Sequence, residues 1–487
     1  MTPGDVTHEA RLALSNIADY ASDLVEPTVR LGVTGLSGAG KTVFITALVH
    51  NLVCGGRLPL VDAVAEGRLK RAYLRPQPDD DLPRFDYEAH IKALLQDRVW
   101  PESTRRISQL RLTFEFEPLG FWGRRVRGGM LNVDIVDYPG EWLLDLPLLG
   151  WSYADWSQRT LAMSRNGTRA ALAAEWLAHV AATDPRAAQD EGLAQQGAAL
   201  FKSYLAKGRE ARFSLSALAP GRFLMPGDLD GSPALTFAPL DVAVGERAPK
   251  GSLWAMMERR YDSYRSIVVK PFFRDHFARL DRQIVLVDAL AALNAGPAAL
   301  RDLETALTEI LSCFRAGANT WISALLRRRI DRILFAATKA DHLHRTSHDR
   351  LEAIMAALTQ KAMQRAQFAG ARVDALAMAA VRATREATAM RAGQTLSCIA
   401  GTPLPGERIA GTLFDGERDT VLFPGELPAD PQTALRFGRD APDQDEADLR
   451  FARFRPPLPD TGPDGGPILP HIRLDRAINF LIGDRLS

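Results

Sequence analysis

The stretch "LGVTGLSGAGKTVFITALV", residues 31–49, decides how the rest of the chain is read. Its centre, Gly35-Leu-Ser-Gly-Ala-Gly40-Lys41-Thr42, fits the pattern G-x-x-x-x-G-K-[ST]. Val29–Thr34 is short, mostly apolar and partly β-branched, which predicts a buried strand. From Lys41 the pattern turns helical: Phe44, Leu48 and Leu52 recur at four-residue steps until Gly55-Gly56 breaks it. Between strand and helix, glycines let backbone N–H groups converge on an anion at the positive end of the helix. The spacing predicts phosphate contacts along Ser37, Gly38, Ala39, Gly40, Lys41, Thr42 and Val43. Lys41 would reach the β/γ-phosphates and the Thr42 hydroxyl would ligate Mg²⁺. A glycine-rich turn without a ligand is the plainer reading, and the strand-before, helix-after context argues against it.

A chain of 487 residues exceeds what one hydrophobic core supports, which predicts two or three domains. With 46% hydrophobic and 24% charged residues the composition is that of an ordinary globular protein. A formal charge of +1 supplies no global field toward nucleic acid or an acidic membrane. The three cysteines, Cys54, Cys313 and Cys398, are far apart and form no metal or disulfide spacing, which suits a reducing cytoplasm. The N-terminus lacks the basic and apolar regions of a signal peptide. No run of about 20 apolar residues predicts a membrane span, so membrane contact is expected only peripherally or through a partner.

A phosphate loop does not say which nucleotide binds; later strands must supply that. Ile107–Phe116 alternates as a strand with one covered face, and Met130–Val136 reads as a second strand ending in Asp137-Tyr-Pro-Gly140. Joined by the short, glycine-rich "GFWGRRVRGG", the two are expected to pair antiparallel. Asp137 at the strand tip can hold Mg²⁺ through water, and the Gly140 N–H can meet the γ-phosphate. Alone, Asp-Tyr-Pro-Gly would be no more than a turn. Arg332–Ala337 is a third buried strand, ending in Thr338-Lys339-Ala340-Asp341. A carboxylate at Asp341 accepts two hydrogen bonds from the guanine N1–H and N2–H₂. Adenine would set an acceptor against it, a mismatch costing about 1–3 kcal/mol or more. The Lys339 stem would lie along the base plane, and the rival reading of Asp341 is a helix cap.

In that order, "GLSGAGKT", "DYPG" and "TKAD" resemble the motifs of translation-factor-related, Ras-like P-loop GTPases. The usual Asn of N-K-x-D is here Thr338, a variant found in some of them. Within that class, "GLSGAGKTVFITALVHNL", "DIVDYPGEWLLDLPLL" and "FAATKADHLH" resemble the YcjX-like family of bacterial stress-associated GTPases. The resemblance runs along residues 28–150 and 280–385. It implies a GTPase core, GTP and GDP as ligands, Mg²⁺ dependence and a large helical insertion. In this class a switch threonine joins Mg²⁺ in the triphosphate state, and Thr104 in "WPESTRR" is better placed for it than Thr113. Glu141 stands where many relatives have a water-orienting glutamine. A carboxylate there could accept a proton from the attacking water, yet it would also repel the γ-phosphate, so slow turnover is expected, with an activating partner that supplies an arginine. The base-closing loop is expected after the last core strand, Val373–Val381, with Val381, Arg382 and Ala383 near the base, although the usual Ser-Ala-Lys signature is absent.

The fold expected is therefore α/β: a Ras-like P-loop GTPase core with a mixed sheet, a large helical insertion and a small β-containing C-terminal appendage. The core is expected over 1–150 and 271–395, the insertion over 151–270 and the appendage over 396–487. Residues 151–210 are rich in alanine and leucine and read as helices; a loop region around 219–251 precedes a helix in "LWAMMERRYDSYRSIVV". An ordered flap with a helix is expected in "DDDLPRFDYEAHIKALLQDRVWP". Placed after the segment that senses γ-phosphate, the insertion is positioned to report nucleotide state to a partner, or else to be an inert cap. Twelve of the 30 prolines fall between Pro403 and Pro470, and the chain closes with an amphipathic helix over His471–Leu486 whose buried stripe is Leu474, Ile478, Leu481 and Ile482. His342, His344 and His348 are expected at the start of an exposed helix, with no metal. Arg124, Arg125 and Arg127 read as a solvated turn and Arg327–Arg329 as a helix C-terminus; neither run has the interleaved aromatics of a nucleic-acid surface. The rival functions are a nucleotide-gated scaffold that hydrolyses little, and an ATPase, which Asp341 opposes.

Overall fold

The structure, a computed structural model of the chain, describes residues 27–36, 38–102, 106–119, 129–210, 213–229, 231–312, 330–368, 370–409, 412–436, 451–462 and 465–487. Its centre is a seven-stranded mixed sheet. The strands are β1 (Thr28–Gly35), β2 (Leu69–Arg75), β3 (Ser108–Phe116), β4 (Met130–Asp137), β5 (Arg282–Val287), β6 (Arg332–Ala337) and β7 (Arg372–Ala377). They lie in the order β2-β3-β4-β1-β5-β6-β7. From β4 across to β7 every pairing is parallel. β2 and β3 add antiparallel pairings at the other edge.

The strands read over Val29–Thr34, Ile107–Phe116, Met130–Val136 and Arg332–Ala337 stand where expected. β5 and β6 are nearly continuous apolar runs because both faces of the sheet are covered. Along them, Val285, Val287, Phe335 and Ala337 face one core, while Ile284, Leu286, Leu334 and Ala336 face the other. The last strand stops at Ala377 rather than Val381. β2 is an addition that the sequence did not announce. In "LKRAYLR" only Ala72 is buried, and the strand pairs on one side alone. Charged residues on such an edge discourage further strand pairing.

The helices that matter here are α1 (Lys41–Val53), α2 (Tyr153–Ser164), α3 (Gly167–Ala182), α4 (Glu191–Arg209), α5 (Leu253–Tyr264), α6 (Pro297–Ser312), α7 (His348–Phe368) and α8 (Leu474–Ile482). On one face of the sheet, α1 packs through Phe44, Leu48 and Leu52. Beside it lies α8, whose Leu474, Ile478, Leu481 and Ile482 enter the same core. The expected stripe is there, and it packs on the central sheet rather than on the small β structures before it. The buried Arg282 of β5 fastens the end of α8 through Asp484.

The opposite face carries α6 and α7 and runs without a break into the packing of α2 to α5. Trp156 stacks on Tyr261 at 5.1 Å and Trp176 on Tyr204 at 5.5 Å. A buried ion pair between Arg169 of α3 and Asp302 of α6 joins this helical block to the central helices. Asp302 also accepts the Ala217 N–H at 2.9 Å, so neither charge is left uncompensated. Between β7 and α8, a three-stranded antiparallel sheet forms from Arg385–Arg391, Gln394–Gly401 and Thr420–Leu422. The stretch expected as a flap forms the helix Tyr87–Lys92, followed by a wider turn over Ala93–Asp97.

Candidate functional site

Parallel register brings the ends of four strands to one edge of the sheet. Val33 pairs with Asp137, Gly35 with Leu286, and Val287 with Ala337. The residues that follow β1, β4, β5 and β6 therefore emerge side by side, the place where open α/β sheets bind ligands. Gly38, Glu141, Asp288, Lys339 and His342 line a single cavity of about 530 Å³ there. Three motifs separated by hundreds of residues thus open on one space.

After β1, Gly38 and Gly40 have φ of 74° and 78°, with open space where a side chain would begin. Only glycine adopts that backbone at no steric cost, and the openness leaves the loop amides accessible. Ala39 is buried and its N–H returns to the Leu36 carbonyl at 3.1 Å. Lys41 opens α1, and its Nζ donates to the Gly35 carbonyl at 3.2 Å, folded back over its own loop. Val43 is half-buried against the α1 core. The Thr42 hydroxyl donates to the Glu102 carbonyl at 3.3 Å, which fixes the chain two residues short of Thr104 beside the loop. Ser37 and Thr104 themselves lie outside the described residues, as do Arg124, Arg125, Arg127 and Arg327–Arg329.

Asp137 ends β4 with 1% of its surface exposed. Three residues on, Gly140 lies directly on the first loop: a Cβ there would stand 2.1 Å from the Gly35 carbonyl oxygen. That contact is backbone on backbone, so no side-chain rotation relieves it. Gly140→Ala is expected to cost about 1–3 kcal/mol of stability, read as a lower urea midpoint with an unchanged slope. A midpoint equal to wild type would show that the two loops are free to part.

The chain from Gly140 to Gly150 winds as a 3₁₀ helix, and Trp142, Leu143, Leu146, Leu148 and Leu149 are all buried, with Trp151 half-covered. The helical block grips it. Asp145 accepts from the Gly221 N–H at 2.7 Å and from the Tyr264 hydroxyl at 2.6 Å. Tyr261 donates to the Trp151 carbonyl at 3.1 Å, and Arg265 to the Leu149 carbonyl at 2.8 Å. Burial pushes the Asp145 carboxyl up to about 6, against the opposing pull of these donors. A folded pKa above the unfolded one makes stability greatest below the unfolded value of 3.8 and lowers it as pH rises through about 6. Relative to Asp145→Asn, wild type is therefore expected to lose about 2 kcal/mol between pH 4 and 6. Parallel urea melts across that window check it; a constant difference would contradict it.

After β6, Thr338 is buried with its hydroxyl on the Val287 carbonyl at 3.3 Å. Lys339 adopts a left-handed backbone at φ 61° and its ammonium pairs with Asp288, at the end of β5. Asp341 is 4% exposed and its carboxylate accepts the Ala383 N–H at 2.9 Å. The Thr384 hydroxyl donates to the Asp341 carbonyl. The loop after β7 does therefore reach Asp341, through Ala383 and Thr384. Val381 instead packs in the core shared with α1, and the Arg382 guanidinium turns to Glu386 at 3.0 Å. Asp341 caps no helix through its side chain.

The histidines differ from expectation. His342 and His348 are buried rather than exposed, and His344 pairs with Glu386 at 2.8 Å. Phe454, from the region before α8, lies against His342 with ring centroids 5.6 Å apart, and burial holds the His342 pKa below its ordinary value. No sequence pattern links those two positions. Asp288 and Arg209 are cavity residues outside the three motifs, and His342 joins them there; for Asp288 the strand-end position was the available signal.

The sequence matches the model of the YcjX-like family, DUF463, over residues 29–486. It is 40% identical over 474 residues to a protein of Escherichia coli (strain K12), covering 95% of this chain and 97% of that relative. It is 35% identical over 506 residues to a protein of Shewanella oneidensis (strain MR-1), covering 98% and 99%. Both relatives carry the name Ras-like GTPase YcjX. A family match spanning the sheet, the helical block and α8 together, with identity of this extent, leaves one assignment: the chain belongs to the YcjX-like family.

Proposed function

We propose that this protein binds GTP at the convergent strand ends and hydrolyses it to GDP and phosphate, with a Ras-like P-loop core. The observation that carries the reading is the meeting of Gly38 of the first motif, Glu141 immediately after the second and Lys339 of the third on a single cavity at the carboxyl edge of the sheet. The names of the relatives point the same way. In this reading the amides of Ser37 to Val43 and the Lys41 ammonium hold the phosphates. Asp341 accepts from the guanine edge, with Thr338 and Lys339 beneath it and the loop after β7 alongside through Ala383 and Thr384. The Gly140 N–H meets the γ-phosphate.

The donor set suits Mg²⁺: the buried carboxylate of Asp137 at the end of β4 and the hydroxyl of Thr42 in the first turn of α1, beyond the adjacent strand β1, are hard oxygen ligands. Thr104 would complete it. Bound with the triphosphate, the ion supplies neutralisation of charge on the β- and γ-oxygens. What the chain itself contributes is positioning and charge.

We assign the core to residues 1–150 and 271–395, the insertion to 151–270 and the appendage to 396–487, and a cytoplasmic place. Among the described residues no helix is long and apolar enough to cross a membrane. A nucleotide-controlled switch in a bacterial stress response is the physiological reading. The contacts that Asp145, Tyr261 and Arg265 make around residues 140–151 support it, because they tie the helical block to the chain beside Gly140. With a non-hydrolysable GTP analogue, residues 141–156 should exchange amide hydrogens more slowly than with GDP. Identical protection across residues 141–210 would reduce the insertion to a cap. Single-turnover hydrolysis, with and without Mg²⁺, tests the chemistry. Release of phosphate only with the metal is expected; tight binding without release would favour a nucleotide-gated scaffold.

A further inference from the structure

Glu141 follows the residue that lies on the first loop, and its carboxylate is not directed to solvent. It pairs at 3.0 Å with Arg209, the last residue of α4 in the helical block. The Glu141 side chain is 6% exposed and that of Arg209 28%. Both line the same cavity as Gly38 and Lys339. The guanidinium is therefore held by the residue next to the Gly140–Gly35 backbone contact, on a cavity that Leu36 and Gly38 of the phosphate loop also line.

We propose that Arg209 is an arginine supplied in cis by the insertion to the transferring γ-phosphoryl group, held back by Glu141 until triphosphate binds. The inference rests on the GTPase reading above and names the group that performs its charge stabilisation. A guanidinium is always charged and presents a fork of donors that matches two phosphate oxygens, which suits it to charge spread over the phosphoryl group. In the reaction, the water oxygen forms a bond to the γ-phosphorus and the bond from phosphorus to the β–γ bridging oxygen breaks. That electron pair stays on GDP, and the protons of the water leave with the released phosphate and solvent. No other reactant is needed.

Glu141 has two effects in this arrangement. Paired with Arg209, it offsets the cost of its own burial. It also competes with phosphate for the same guanidinium, which keeps turnover slow until the γ-phosphate repels the carboxylate. A structural explanation exists for Arg209 alone, since a cation is favoured at a helix C-terminus and the pair fastens α4 to residue 141. The two differ in what a neutral substitution does.

The test uses full-length protein with Arg209→Ala, Arg209→Gln and Arg209→Lys, each checked for native circular dichroism and melting temperature. Binding of GTP and GDP is measured separately from single-turnover hydrolysis and from the response of GDP-loaded protein to aluminium fluoride, which mimics the transferring group. Arg209→Gln retains a donor for Glu141, so it stays folded if Arg209→Ala does not. The expected result is GTP and GDP affinity within about threefold of wild type and hydrolysis slowed by about 10³-fold or more in Ala and Gln. Their aluminium fluoride complex should be lost, with partial recovery in Lys. Wild-type hydrolysis and fluoride response in a folded Arg209→Gln would overturn the assignment and leave the pair structural. Wild type that binds GTP without hydrolysing it would also overturn it, while nucleotide binding stood. Failure of wild type to bind guanine nucleotide would instead remove the GTPase reading on which it rests.

Discussion

Lys41→Ala is expected to lower GTP affinity by at least about a hundredfold, ~3 kcal/mol, because a charge-assisted contact to phosphate is removed and nothing replaces it. The fold should barely notice. Lys41 is only half-buried at the first position of α1, and its one described partner is the Gly35 carbonyl at 3.2 Å. That hydrogen bond is local and neutral on the acceptor side, so its loss falls near the ordinary value of about 1 kcal/mol. Alanine is also the best helix former for the vacated position. Titration with a fluorescent GTP analogue, alongside thermal melts of both proteins, separates affinity from stability. Equal affinity in a folded variant would remove phosphate binding from this loop.

The second large effect is expected at Asp341. Replacing it with asparagine keeps an oxygen that can accept the Ala383 N–H, the contact the carboxylate makes at 2.9 Å. It exchanges the other oxygen for an amide donor. Against guanine, that donor faces the exocyclic N2–H₂, so an accepted hydrogen bond becomes a donor opposed to a donor. The cost is about 2–3 kcal/mol at a buried charged site, or roughly 30- to 150-fold in GTP affinity. Xanthine carries an oxygen at that carbon, so XTP binding should improve by a comparable factor. Competition among GTP, ATP and XTP on wild type and Asp341→Asn measures both changes together. Unchanged selectivity in the variant would leave Asp341 as a tie between the loops after β6 and β7 and nothing more.

These two positions were legible from sequence because each belongs to a short motif whose chemistry is local. The strands that carry them were legible for a different reason. β5 and β6 are covered on both faces, so they appear as nearly continuous apolar runs, and β1 sends Val29, Leu31 and Val33 alternately into one core. β2 has one buried residue and a charged surface, and its pairing with β3 is a matter of edges rather than of pattern. The amphipathic stripe of α8 was plain, but amphipathicity says that a face is buried and not what buries it. It packs on β5 and β6, from mid-sequence, and enters a core shared with Val29 and Phe44 from the far end of the chain.

The same limit applies within the candidate site. His342 reads as an exposed helix start until Phe454 covers it. Lys339 reads as a residue for a base, and in this structure its ammonium is held by Asp288. Glu141 reads as an unfavourable carboxylate beside a phosphate, and only the folded chain gives it Arg209. Each of these is a pairing between charges or rings on different elements. Periodicity carries no information about such pairs, since the two residues share neither a helix face nor a strand register.

In the proposed function, three loops brought together by the parallel register of β4, β1, β5 and β6 form one guanine-nucleotide site. The most direct test is displacement of labelled GTP from the purified full-length protein in the presence of Mg²⁺. The account predicts one nucleotide per chain, displaced by unlabelled GTP and GDP and not by ATP at roughly a hundredfold higher concentration, the discrimination expected when a buried carboxylate faces an acceptor. Displacement by ATP as effective as by GTP would contradict it.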